Sequence, residues 1–94
     1  MIHDIKILPG YFEAWMTGRK RAELRNADRN YQVGDTVRMW EWNKKYTGRY
    51  IMSDVLHIYD ANPILELSKT QTKKKFCILS LATRKVGKGN PPEA

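Results

Sequence analysis

The stretch "TVRMWEWNKKYTGRYIMSDVLHIYD", residues 36–60, decides the fold. Residues 36–42 alternate: Val37, Met39 and Glu41 share one face, and Arg38, Trp40 and Trp42 share the other. A period of two belongs to a strand whose two sides meet different surroundings. Polar "NKK" is short enough for a hairpin turn. Residues 46–60 are β-branched and aromatic, which favours a second, long strand. Gly48 or Ser53 marks an expected bulge in it.

Outward from this hairpin, the same signals recur. "HDIKIL", residues 3–8, points Ile5 and Ile7 one way, as in a half-buried strand. Pro9 and Gly10 break it. In "YFEAWMTG", residues 11–18, Phe12, Trp15 and Met16 fall on one helical face, with Pro9 suited to the start and Gly18 to the C-terminal cap. So short a helix needs tertiary packing. "KRAELR", residues 20–25, alternates again: Lys20, Ala22 and Leu24 against Arg21, Glu23 and Arg25. "NADRNYQVGD", residues 26–35, reads as loop. "NPILEL" holds a short helical turn, "SKTQTKKK" a loop, and "KFCILSLA", residues 75–82, a buried last strand. Residues 84–94 lack apolar periodicity and carry Gly and Pro, so a disordered basic tail is expected behind a domain of residues 1–83. About five strands, one or two short helices and no βαβ rhythm predict an α+β, mostly β fold: a small, mostly antiparallel barrel with a helix at one end.

The chain has 94 residues and a hydrophobic fraction of 41%, enough for one small core. Seventeen Lys and Arg against ten Asp and Glu leave a net charge of +7. Such a surplus concerns partners rather than fold, and polyanions are the natural ones. The lone Cys77 lies in an apolar run, as a core residue would. Neither a signal-peptide pattern nor a run long enough to span a bilayer is visible, so a cytoplasmic protein without a membrane partner is expected. His3 and His57 are isolated and the six glycines are scattered. Neither a metal nor a cofactor is therefore expected.

Two features bear on function. Between Thr17 and Arg49 stand nine Lys or Arg and four Asp or Glu, with Tyr31, Trp40, Trp42 and Tyr46 interleaved. Cations beside flat rings suit nucleic acid, because rings stack on bases and cations hold phosphates. A solvated basic surface with a tryptophan in the core has the same composition. The second feature is "GRKRAELR", residues 18–25, where four cations surround Glu23. A Lys and a Glu converging in a pocket suit proton transfer, and cross-strand ion pairs produce the same alternation.

"GRKRAELR" also resembles the G-x-K-x-x-E-x-R signature of the ASCH domain superfamily, which has a PUA-like barrel. Gly18, Lys20, Glu23 and Arg25 occupy its positions. "HDIKILPGYFEAWMTGRK", "NADRNYQVGDTVRMWEW" and "YTGR" follow, in order, a small ASCH-like family of unknown function found in bacteria and their phages. The resemblance implies a cleft beside the first helix, lined by the signature, with RNA or a nucleotide as ligand. Lys20 and Arg25 would contact phosphate or a base edge, and Glu23 would orient them. Arg29, Tyr31 and Arg49 would line the cleft, and Trp42 would stack. One bacterial group in the superfamily hydrolyses the acetyl group of N4-acetylcytidine with a Lys and a Thr of the signature. Lys20 matches that lysine, but Glu23 stands at the threonine position. The expectation is an RNA- or nucleotide-binding module. Its alternatives are a small hydrolase of modified nucleosides or RNA, with Lys20 and Glu23 as the acid/base pair, and a phage-encoded module that binds a host protein.

Overall fold

The computed structural model describes residues 1–27, 29–63 and 75–92. Its elements are β1 (Ile2–Ile7), α1 (Pro9–Met16), β2 (Ala22–Asn26), β3 (Thr36–Trp42), β4 (Tyr46–Asp60) and β5 (Phe76–Lys88). The strands form one curled sheet, a half-barrel, in the order β1-β3-β4-β5-β2. β1 runs parallel to β3 and every other neighbouring pair is antiparallel. Parallel pairing needs a long crossover, and α1, β2 and the loop after it supply one. The expected small, mostly β, α+β fold is therefore present, and α1 packs on the sheet.

The hairpin in the opening stretch forms as its pattern requires. Val37 and Met39 are fully buried between strands, and Glu41 follows on the same side. The turn places Lys44 at φ +64°, and the Asn43 N–H donates to the Lys45 carbonyl at 2.9 Å. The β4–β5 register slips between Met52 and Ser53 and again between Val55 and His57, so the bulge expected near Ser53 is present. Ile5, Ile7, Ile51, Val55, Leu79 and Cys77 complete the core, and Phe12 and Trp15 cover it from α1. Burying Phe12 alone contributes about 1.5–3 kcal/mol, which offsets the poor stability of an eight-residue helix. Pro9 opens α1, and Gly18, at φ +76°, turns the chain out of it. Met16, expected on the covered face, is exposed.

Two expectations need correction. β2 does not turn Ala22 and Leu24 inward: both are exposed, while Glu23 is buried and pairs in register with the fully buried Leu79. The inward carboxylate is tolerated because Arg25 on the same strand and Lys20 just before it pair with it. The tail does not begin at residue 84. Residues 84–88 are the end of β5, with Lys85, Val86, Gly87 and Lys88 opposite Met52, Ile51, Tyr50 and Arg49. The first half of the 15-residue β4 carries unpaired backbone groups on that side, and this segment satisfies them. Gly87 is required because a Cβ there would lie 2.6 Å from the Tyr50 hydroxyl. The expected turn in "NPILEL" and the loop "SKTQTKKK" fall largely on residues 64–74, outside the described residues.

Among the described residues no backbone pairing joins β1 to β2. Side chains cross this seam instead. Arg25 Nη2 donates to the Lys6 carbonyl at 2.8 Å, and Arg29 Nη1 donates to the Asp4 carbonyl at 2.6 Å. Two residues apart, these carbonyls lie on one edge of β1. The guanidinium groups occupy acceptors that an edge strand would otherwise offer to a foreign strand.

Candidate functional site

The signature residues come together around one carboxylate. Glu23 Oε1 lies 3.0 Å from Lys20 Nζ, and Glu23 Oε2 lies 2.9 Å from Arg25 Nη2. Arg25 Nε also donates to Oε2, at 3.1 Å. Lys20 donates to the Ala22 carbonyl at 2.6 Å and sits over the rings of Tyr11 and Trp15. Arg21, which alternation placed beside Glu23, is exposed; Lys20 reaches the carboxylate because residues 20 and 21 precede the strand proper. One buried carboxylate thus fixes two cations on opposite sides of itself, in charge-assisted bonds stronger than neutral ones.

Arg25 faces a cleft of about 640 Å³ along the β1–β2 seam, whose walls include Asp4, Lys6, Asn26, Arg29, Tyr31 and Tyr46. Three cations and two phenol rings thus line one concavity, which offers hydrogen-bond donors beside aromatic rings. Arg29 and Tyr31 therefore share with Arg25 a cleft along the β1–β2 seam, away from the helix beside which the resemblance implied one. Tyr31 is held from behind: its ring lies 4.6 Å from that of buried His3, whose Nε2 is 2.7 Å from Asp35 Oδ2. The hydrogen bond with His3, supported by the Gln32 N–H, holds the Asp35 carboxyl down at about 2 despite partial desolvation. His3 is a structural residue here.

Lys6, which the sequence did not single out, and Tyr46, noted there only among the interleaved aromatics, extend the cleft onto the outer face of the sheet. The Lys6 ammonium lies over Trp42 at 5.3 Å and over Tyr46 at 5.4 Å. Beside them Trp40 is buried, edge-on to Tyr46 and tilted on Tyr50. Trp40 Nε1 donates to Asp4 Oδ1 at 2.8 Å, and Arg38 donates to both Asp4 oxygens. The Arg38 bond, above all, draws the Asp4 carboxyl below its ordinary value. These rings rest on a fixed floor. No periodicity marks Tyr46 as functional; its only signal was its place in the basic, aromatic segment.

Arg49 is not in the cleft. It is held against α1, with Nε and Nη2 donating to the two oxygens of buried Glu41 at 2.9 and 2.7 Å. Thr47 donates to the same carboxylate at 2.7 Å, and the guanidinium covers the Phe12 ring at 4.6 Å. Glu13 approaches to 3.7 Å. The hydrogen bonds from Arg49 hold Glu41 below, and those to Glu41 hold Arg49 above, their ordinary values. This cluster ties the hairpin to the helix, and it places Arg49 outside the seam cleft.

A second cleft, of about 530 Å³, adjoins the end of α1 and is lined by Trp15, Gly18, Lys20, Arg21, Leu56 and Thr83 among others. Trp15 Nε1 is buried and has no hydrogen-bond partner among the described residues. Lys20 and Arg25 therefore serve different clefts, with Glu23 between them. Among the described residues no three His, Cys, Asp or Glu side chains converge to hold a metal ion. Nor is any described helix long and apolar enough to cross a membrane.

Comparison with known proteins places this geometry in a group without an assigned activity. The chain is 39% identical over 66 residues to an "Uncharacterized 12.9 kDa protein in GpA 3'region" of Escherichia phage P2. That match covers 69% of this chain and 61% of the phage protein, so the chain spans less than two thirds of its relative's length. Residues 2–81, which hold the helix, the Glu23 row and both walls of the seam, match the family described as "Domain of unknown function (DUF3850)", and the chain belongs to that family.

Proposed function

We propose that this chain is a nucleic-acid- or nucleotide-binding module of the PUA-like, ASCH kind, which takes its ligand in the cleft along the β1–β2 seam. The observation that carries this reading is the convergence of Lys6, Arg25 and Arg29 on one concavity, with Arg25 fixed by buried Glu23. A guanidinium has five donors in a fixed plane and suits phosphate oxygens and base edges. Because Glu23 holds Arg25 from behind, little ordering remains to be done when ligand arrives. The net charge of +7 favours a polyanion over a neutral ligand.

Labelled single-stranded RNA of a few nucleotides, titrated by fluorescence anisotropy at several salt concentrations, tests this. Each phosphate neutralised contributes about −0.7 to the slope of log K against log salt for single strands. Three cations therefore predict a slope near −2, and Arg25→Ala and Arg29→Ala should each flatten it without unfolding the protein. Binding that does not respond to salt, or is unchanged in both variants, overturns the proposal. The 3.0 Å approach of Lys20 Nζ to Glu23 Oε1 supports the hydrolase reading as a second possibility. Product analysis on acetylated cytidine and RNA separates the two: a hydrolase would lose about 10²–10⁴-fold in turnover in Glu23→Gln, whereas a binder makes no product.

A further inference from the structure

From the course of the chain after β5 we infer that residues 89–92 form a wall of the seam cleft and help to hold its ligand. This rests on the reading above and adds to it a segment of the chain that lies outside the five strands. Trp40 is the first sign. It is buried, yet it stands outside the core cluster, on the outer side of the sheet with Arg38 and Trp42. Part of its cover comes from beyond β5. The Gly89 N–H donates to the Gly48 carbonyl at 2.9 Å, and a Cβ at Gly89 would lie 3.8 Å from Trp40 Cη2 and 3.8 Å from Tyr50 Cε2. Further along, Pro92 lines the seam cleft together with Asp4, Lys6, Arg29 and Tyr46. The chain therefore leaves β5, passes these rings and crosses the outer face of the sheet to β1.

The sequence sets this course. Proline fixes its own φ at about −65°, and Pro91 and Pro92 each restrict the residue before them to extended backbone. A polyproline-like rise of about 3.1 Å per residue carries the chain about 9 Å from Gly89 to Pro92. That is about two strand spacings of ~4.8 Å, and β1 is the second strand from β4 in the sheet. Covering Trp40 needs the chain only as far as Gly89. Beyond it, among the described residues, no hydrogen bond holds Asn90, Pro91 or Pro92, yet both prolines are half-buried. Their stiffness leaves little freedom to be lost when a ligand arrives against them. With Pro92 in its wall the cleft still measures about 640 Å³, within the ~300–1,000 Å³ of ligand sites. The segment thus bounds the space for a ligand and does not fill it. It also lies past residues 2–81, the part of the chain that matches the family.

The test shortens the protein after Gly89, which keeps the bond to Gly48 and the cover of Trp40. A second variant combines Pro91→Gly with Pro92→Gly, which keeps the whole backbone and removes its stiffness. Both are titrated beside wild type with the labelled single-stranded RNA used above, and the Asn90 amide of wild type is followed by NMR. Shortening should weaken binding by roughly 5-fold or more, the lower end of the usual coupling between two elements that meet one ligand. The glycine pair should weaken it in the same direction. The only charged residue removed by shortening is Glu93, so charge alone would tighten the binding of an anion, and a loss reports a lost contact. The Asn90 signal should shift over the same RNA concentrations at which the anisotropy rises. Equal melting temperatures keep the fold out of the comparison; where shortening lowers the melt, the glycine pair decides. Affinity that is unchanged in the deciding variant, with a still Asn90 signal, overturns the inference and leaves the binding reading standing. Tighter binding overturns it too, because the segment would then obstruct the cleft. Absence of RNA binding by wild type overturns both.

Discussion

Arg49→Ala tests how the helix is fastened to the sheet. In the native chain Glu41 is 4% exposed, and both its oxygens receive guanidinium N–H groups at 2.9 and 2.7 Å. Removing Arg49 leaves that carboxylate buried with only the Thr47 hydroxyl as a described partner. Breaking a buried pair from one side costs about 3–5 kcal/mol. The Arg49 side chain keeps 33% of its exposure, so water can reach part of the gap, and the lower end, about 3 kcal/mol, applies. Total stability for 94 residues is about 5–14 kcal/mol, and the melting temperature should fall by about 12–24 °C. The loss depends on pH in a stated direction. In wild type the Glu41 carboxyl lies below its ordinary value, so its contribution is full above the unfolded range near ~4.3 and is lost as pH falls through the lower folded value. Without Arg49, burial pushes the carboxyl upward, and proton uptake relieves the variant first. The gap between the two proteins, measured by urea denaturation, should narrow from pH 7 to pH 4. Glu41→Leu combined with Arg49→Met should recover most of the loss, because apolar replacements need no partner. A loss under about 1 kcal/mol at pH 7, or one equal at pH 4, would refute the reasoning and make the pair an ordinary surface contact.

Three further outcomes are expected. Met39→Ala, at a fully buried position in β3, should cost about 2–5 kcal/mol in chemical denaturation; a neutral result would mean that β3 presents its other face to the core. Gly87→Ala places a Cβ 2.6 Å from the Tyr50 hydroxyl and 2.7 Å from Cζ, and should cost about 1–3 kcal/mol as the ring is displaced; no cost would mean that Tyr50 does not lie over β5. Truncation after Thr83 removes the partners of Arg49, Tyr50, Ile51 and Met52 and should lower the melting temperature by more than about 5 °C. An unchanged melt would restore the disordered tail that composition suggests.

The hairpin, α1 and the strand at β1 were legible because each meets the core on one face, and burial on one face writes a period into the sequence. The last turn of β5 was not. Residues 84–88 bury little, and backbone pairing with β4 leaves no mark in side-chain hydrophobicity. Part of the candidate site was legible as the row Lys20, Glu23 and Arg25, through its spacing and through the resemblance it carries. Lys6 was not, nor was its contact with Tyr46, because an exposed lysine and a tyrosine at a strand start look the same whether or not they face each other. Arg49 was placed in the cleft by the resemblance, and no local pattern showed its pairing with Glu41.

By itself the sequence determined that this chain is mostly β, has a short covered helix after its first strand, is strongly basic, and concentrates cations around Glu23. Those properties are local: alternation, helical spacing and charge are set by residues within a few positions of one another. Only the tertiary structure decided which way β2 faces, which arginine meets the cleft and which the helix, and that β1 and β2 are bridged by Arg25 and Arg29. The bridging depends on partners that the chain brings together across long separations, Arg25 with Lys6 and Arg29 with Asp4. A carboxylate can turn inward, and an arginine can become structural, only where the fold supplies the opposite charge. For Glu23 that charge is local, on Lys20 and Arg25, but the side of the strand that turns inward is set by the register and curl of the sheet, which no short stretch of sequence specifies.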